Sequence, residues 1–274
     1  MKSEEIKKFT SQATNQLFAA LNEGRSETLT QYLAAMARFH RYSLGNIMLI
    51  ASQRRDATRV AGFRTWNKLG RFVRKGEKGI FVLAPIMRRK TEGLDNLELK
   101  ESTIPAGFRP VYVFDVSQTD GQELPVVCSV SGDPREYRER LALLIDRLEI
   151  GLEYSEAIAP ALGTSSGGKI TLLPGQSLAA EFVTLSHELA HELMHRTERR
   201  SATSKCVRET EAEAVAYVLS QAIGLETISA AKDYIQLYNG DANLLIESLE
   251  IIQSTANSIL QSIGVDQESI APPS

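Results

Sequence analysis

The decapeptide SHELAHELMH, residues 186–195, holds three of the four histidines in a chain of 274 residues. His187 and His191 stand at i and i+4, so on a helix both imidazoles leave the same face and can reach one ion. Together with Glu188 they form an H-E-x-x-H pattern. Its chemistry is that of a zinc hydrolase: two histidines bind Zn2+, and the glutamate takes a proton from a zinc-bound water and passes it to a leaving group. Phe182, Val183, Leu185, Leu189 and Leu193 supply the apolar residues such a helix needs for packing. The bland alternative is two helix histidines beside an exposed glutamate. The crowding of three histidines into nine residues argues against it.

A catalytic zinc needs a third protein ligand. His195 stands about 12 Å from His187 along a straight helix at ~1.5 Å per residue, too far for one ion with bonds of ~2 Å. No glycine breaks the helix between them, so His195 is read as a helix-end group or one that supports a ligand from behind. The segment RETEAEAVAYVLS offers a better source. Glu209 and Glu213 are i and i+4 and share a helix face; one can ligate the metal while the other holds a ligand histidine through its second nitrogen. We assign Glu209 as ligand and Glu213 as support. Glu211, about 200° around the helix from Glu209, points elsewhere. A solvated glutamate face is the alternative, and Ala212 and Ala216 would let this helix pack closely on the motif helix.

The elements that must position these groups are legible from periodicity and caps. Ser177 can cap a helix running from about 178 to 195, and another spans about 206–223. Further helices are expected at 134–148, 226–239 and 242–262. KITLL, residues 169–173, reads as a strand after a flexible SSGG, either an edge that pairs with an extended substrate or a plain core strand. Nearer the start, helices are expected at 3–22, from Ser26 through Ala37, at 46–53, and at 63–69 with a stop at Gly70. Strands are expected at 80–84 and 111–116, with 87–108 a polar loop or hairpin.

The second chemical signal is charge. The chain carries 31 Lys and Arg against 34 Asp and Glu, a formal −3. Residues 51–90 hold twelve of the cations and two acids, a net +10, which leaves −13 on the rest. A near-zero total therefore hides a basic segment. Its cations interleave with Tyr42, Phe63, Trp66, Phe72 and Phe81. Cations neutralise phosphates and aromatic faces stack on unpaired bases, which favours single-stranded nucleic acid. The candidate contact residues are Arg54, Arg55, Arg59, Arg64, Trp66, Lys68, Arg71, Arg74, Lys75 and Lys78. Trp66 and Phe63 could equally be core, and Gly76 and Gly79 a tight turn.

Both segments resemble known modules. His187-Glu188-x-x-His191 with Glu209-x-x-Ala212-Glu213-x-x-Ala216 resembles the ImmA/IrrE group of gluzincin-type metallopeptidases and the C-terminal half of ArdC-type antirestriction proteins. The resemblance spans about residues 165–223 and implies that Glu209 is the third zinc ligand. The position four beyond it is often Asn in ImmA-like proteins and is Glu213 here. S-x-G-N-x-x-L-I, A-T-x-V-A-G-F-R-T-W, K-L-G-R-x-V-R-K-G-E-K-G-I and V-F-D-V-S-Q-T, between Ser43 and Thr119, resemble the N-terminal single-stranded-DNA-binding domain of ArdC-type proteins. The resemblance implies DNA binding and an association with mobile elements that oppose host restriction.

Composition bounds the rest. Hydrophobic content of 43% with 24% charged residues is that of a globular chain. No apolar run reaches the ~18 residues of a membrane span, and the start lacks the pattern of a secretory signal. Two cysteines, Cys128 and Cys206, make no disulfide framework. A cytoplasmic, membrane-free protein is expected, with Cys206 a small buried residue. The expected fold is α+β in two domains: residues 1–130, a mixed helix and strand module for single-stranded DNA, and residues 131–274, a mostly helical zincin with a small sheet. The expected partners are single-stranded DNA and a protein or peptide substrate, with Zn2+ as cofactor. Two alternatives stay open: a protective DNA-binding protein whose zinc is only structural, and a regulatory protease that cleaves a repressor. His195 and Tyr217 are the candidates for oxyanion stabilisation.

Overall fold

The computed structural model describes residues 15–21, 23, 27–90, 102–122, 134–225 and 242–265. The expected helix at 226–239, Cys128, the junction near 130 and the first residues of the expected helix at 3–22 lie outside the described residues; residues 15–21 are helical. The architecture is α+β. By packing the chain forms two compact units, one built on Met48–Leu124 and the other on Gln16–Ile47 with Pro125–Ser269. This division differs from a cut at 130. The early helix Glu27–Arg38 (α1) buries Leu29, Leu33 and Met36 and packs on a helix of the second unit, Lys205–Ala222.

In the first unit, β1 (Val60–Gly62), β3 (Ile80–Lys90) and β4 (Ser102–Asp115) form an antiparallel sheet in the order β1-β4-β3. β3 and β4 pair from Ile80 opposite Val113 to Lys90 opposite Ser102, with a register shift at Ile86/Met87. The strands are longer than the sequence suggests: of the stretch 87–108 expected as a polar loop or hairpin, 87–90 and 102–108 are strand, and 91–101 lie outside the described residues. β2 (Arg71–Val73) pairs with β5 (Thr119–Gly121). Between β1 and β2 lies a helix, Phe63–Lys68, which ends at Gly70 with φ +70° as expected. Alternation sorts β3: Ile80, Val82 and Ala84 face the core with Val113, while Phe81 lies opposite Tyr112 and Pro85 opposite Phe108 on the other face.

The D-V-S-Q stretch closes this unit. Asp115 is buried; its carboxylate accepts from the backbone N–H of Thr58 at 2.8 Å, Arg59 at 3.0 Å and Ser117 at 3.0 Å. Gln118 accepts from the N–H of Asp115 and donates to Glu77 and to the carbonyl of Lys78. One short segment thereby holds two loops of the basic region.

In the second unit, β6 (Gly151–Tyr154), β7 (Gly163–Ser165) and β8 (Lys169–Leu172) form a sheet in the order β6-β8-β7. β8 is parallel to β6 and antiparallel to β7. The expected strand is therefore central, with an edge at β7. On the sheet pack Arg135–Arg147 and the motif helix Leu178–Met194 (αM), and on αM pack Lys205–Ala222 (αE) and Ala242–Ser262 (αC). Ser177 caps αM by accepting from the Ala180 N–H, and Ser204 caps αE by accepting from Val207. αE packs against αM, αC and α1, so more than one of its faces is interior.

Trp66, the chain's one tryptophan, is fully buried and donates from Nε1 to the carbonyl of Phe114 at 2.9 Å. We expect Trp66→Ala to cost about 3–5 kcal/mol in denaturant unfolding. The native emission should be blue-shifted and insensitive to added oligonucleotide; a solvent-like emission maximum would contradict the burial.

Candidate metal centre

αM and αE bring three ligand atoms together. Nε2 of His187 and Nε2 of His191 are 3.1 Å apart, and each is 3.5 Å from Oε2 of Glu209. Among the described residues these three side chains form a group able to hold one ion. Four tetrahedral ligands at the ~2.0–2.1 Å of a zinc–nitrogen or zinc–oxygen bond lie ~3.3 Å from one another, so the triangle has the size of a metal-binding face. Two ring nitrogens aimed at one point in a mostly apolar wall also repel a proton. Burial, helped for His191 by His187, lowers both imidazole pKa values, that of His191 to about 4, and Glu209 opposes the shift. Both rings are held in the neutral form that a metal requires.

Close helix packing makes the triangle possible. Ala190 of αM and Ala212 and Ala216 of αE are buried, and their small side chains let the two helices approach. Glu209 is the more exposed ligand, on the open side of the group.

Glu188 is buried. Burial first, then the negative charges of Glu209 and Glu192, push its carboxyl up to about 7. A group in that range can take and return a proton at neutral pH. Its neighbour is β7: a Cβ at Gly163 would stand 2.6 Å from Cγ2 of Thr184 and 2.9 Å from Cγ of Glu188. Only a glycine lets this strand pass so close to the motif helix. The next glutamate on αM anchors the β7–β8 turn. Oε1 and Oε2 of Glu192 accept from the N–H groups of Gly167 at 2.8 Å and Gly168 at 2.7 Å. The SSGG stretch, expected to be flexible, is thus tied to the helix that carries the histidines.

His195 lies outside the ligand triangle, in keeping with the distance argument. It is the C-cap of αM and its Nδ1 sits 2.8 Å from Nδ1 of His191. Both of its ring nitrogens are engaged, Nε2 with Glu211 at 2.9 Å, so it is no oxyanion donor. His195 thus meets His191 from behind the triangle, and Glu213 is half-buried on αE. Sequence reasoning missed Glu211. Turning it away from Glu209 was correct geometry, but αE is packed on that side too, and Glu211 is buried against His195, Arg199 and Ser248. Cys206, expected to be buried, is exposed at the first turn of αE, where the helix has not yet reached its neighbours.

The basic candidates separate into two groups. Trp66 is core and cannot stack on a base. Arg71 is consumed by the fold: Nε bonds Thr119 Oγ1 and NH2 bonds the Thr119 carbonyl, both at 2.8 Å. Arg74 pairs with Glu77 at 3.0 Å and Asp120 at 3.3 Å, and Arg54 lies 3.6 Å from Asp56. Arg55, Arg64, Lys68, Lys75 and Lys78 are exposed, and Arg59 is half-buried. Tyr42 is buried in the second unit. The exposed aromatics are Phe63, Phe72, Phe108 and Tyr112, the last two 53% and 62% exposed on one face of the β3–β4 hairpin. Phe81 meets Tyr112 edge-on, with ring centroids 6.2 Å apart. The β period in F-R-P-V-Y, residues 108–112, would have shown that Phe108 and Tyr112 share a face.

Comparison with known proteins bears on both units. Residues 7–114 match the family model of the N-terminal domain of the anti-restriction factor ArdC. The chain is similar to a crystal structure of the antirestriction protein ArdC from plasmid R388 in its metal-free form, with a TM-score of 0.55 at 20% identity over 94% of this chain and 99% of that one. The Mn(II)-bound structure of the same protein gives a TM-score of 0.55 at 18% identity over 93% and 98%. The fold is shared. An uncharacterized protein of Bacillus anthracis is 24% identical over 95% of this chain and 52% of its own length. The chain thus spans about half the length of that curated relative. No helix among the described residues is long and apolar enough to cross a membrane.

Purified protein should carry about one divalent ion per chain by elemental analysis. His187→Ala and His191→Ala should each abolish this, since a two-ligand remnant holds an ion weakly.

Proposed function

We propose that this chain is an antirestriction protein of the ArdC type, which binds single-stranded DNA through its basic unit and carries a zinc-dependent peptidase centre in the other. The observation that carries the hydrolase reading is the ligand triangle of His187, His191 and Glu209 beside the buried carboxyl of Glu188. A purely structural site has no use for a buried glutamate there. When bound, the ion supplies a Lewis acid that polarises a carbonyl and acidifies a water, to a pKa of about 7 for zinc. His187, His191 and Glu209 hold it. Glu188 takes the proton of the attacking water on its carboxylate and delivers it to the leaving amine. The edge of β7 offers an extended peptide free backbone groups alongside Glu188, so chain direction at the site would be set by strand pairing.

Glu188→Gln should keep the ion and lose hydrolysis of a casein or mixed-peptide substrate by at least about 100-fold, the scale of a removed general base. Retained hydrolysis would sink the peptidase reading. A restriction-protection phenotype that survives Glu188→Gln would favour the second reading, a protective DNA-binding protein with a structural ion.

The DNA reading is supported by the match of residues 7–114 and by the exposed aromatics and exposed cations of this unit. Phe108→Ala and Tyr112→Ala should each weaken oligo-dT binding by about 10-fold, from a stacking contribution of ~1–3 kcal/mol per base. Joint reversal of Lys68, Lys75 and Lys78 to Glu should also flatten the salt dependence. Fluorescence anisotropy checks both. Unchanged binding in all variants would move DNA recognition off this unit.

A further inference from the structure

Behind the ligand triangle a second polar chain runs into the protein. Nδ1 of His191 meets Nδ1 of His195 at 2.8 Å, and Nε2 of His195 meets Oε2 of Glu211 at 2.9 Å. The side chains of His195 and Glu211 are 1% and 0% exposed. Glu211 also accepts from Arg199 and from Ser248. The chain therefore draws on αM, αE, αC and the short helix Thr197–Ala202 that carries Arg199.

Proton positions follow from bonding logic. Two ring nitrogens 2.8 Å apart need one proton between them. An ionised Glu211 accepts only, so Nε2 of His195 must be the donor to it. The Arg199 guanidinium meets both oxygens of Glu211, Nε at Oε2 and NH2 at Oε1, which is the fork pairing of a carboxylate. Arg199 and Ser248 already donate to the carboxylate, and one N–H from His195 completes its bonding. With its proton on Nε2, His195 leaves a lone pair on Nδ1. That lone pair must be met by the Nδ1–H of His191, which leaves Nε2 of His191 bare and aimed at the triangle. The opposite arrangement, with the proton donated from His195, would put the mobile proton of His191 on the nitrogen that faces Glu209 and block the ligand position.

We propose that His195 is a positioning residue of the metal centre: anchored by Glu211, it accepts the Nδ1 proton of His191 and commits His191 Nε2 to the ion. This rests on the reading of His187, His191 and Glu209 as a metal site. It gives Glu211, on the face of αE turned away from the ligand, a role in the site through two imidazoles. Supporting partners of this kind are worth about 10–100-fold in metal affinity.

The test is Zn2+ affinity by chelator competition in the full chain, for wild type, His195→Leu and His195→Asn. Asn places an acceptor oxygen near the position of His195 Nδ1. His195→Leu should bind Zn2+ about 10–100-fold more weakly, and His195→Asn should recover most of the loss. Equal affinities in all three, or equal losses in Leu and Asn, overturn the proposal while leaving the metal site standing. A wild type that binds no Zn2+ removes the metal reading and this proposal with it. Should His195→Leu fail to fold, imidazole 15N shifts of the Zn2+-loaded wild type decide. Protonation of His195 on Nε2 alone is expected; a proton on its Nδ1 overturns the assignment.

Discussion

Everything at the candidate centre depends on how closely αM and αE approach. Three ligand atoms from two helices sit 3.1–3.5 Å apart. Such spacing demands small residues where the helices touch, and Ala190, Ala212 and Ala216 are buried there. A larger side chain at Ala212 would push Glu209 away from both histidines at once. The same approach brings Glu211, on another side of αE, against the end of αM. One packing constraint therefore sets both the ligand triangle and the buried carboxylate behind it.

The sheet of the second unit is bound to this pair of helices by two opposite devices. At Gly163 the absence of a side chain admits β7 against Glu188. At Glu192 a buried carboxylate satisfies two consecutive backbone N–H groups of the β7–β8 turn. An unpaired carboxylate at that depth would be costly, and the paired one fixes the strand edge beside the motif helix. The two histidines, Glu188 and the carboxylate that ties the strand edge are thus carried by one helix, within two turns.

In the first unit, the positive charge of the sequence divides by what each cation touches. Arg71 and Arg74 hold β2, β5 and the turn before β3 together, and their charge is spent on neighbouring oxygens. Lys68, Lys75 and Lys78 remain exposed. The V-F-D-V-S-Q-T stretch, whose residues read as part of a DNA-binding module, acts locally as a latch: Asp115 binds the backbone of Thr58 and Arg59, and Gln118 that of Lys78.

The sequence by itself determined the elements and the ligand face. Ser177 announces the motif helix, i and i+4 spacing puts His187 with His191, and the distance along a straight helix removes His195 from the ligand set. These are local rules, and a helix obeys them wherever it lies. Tertiary structure decided what local rules cannot reach. Trp66 looked like a stacking platform among cations and is core, because the sheet closes over it. Residues 169–173 read as a strand, but only pairing on both sides shows it to be central, with the edge at Gly163–Ser165. Glu211 could be turned away from the metal by its angle on the helix, yet an angle does not say which neighbour waits on that side. Here it is His195, brought from αM to αE by the folding of the chain.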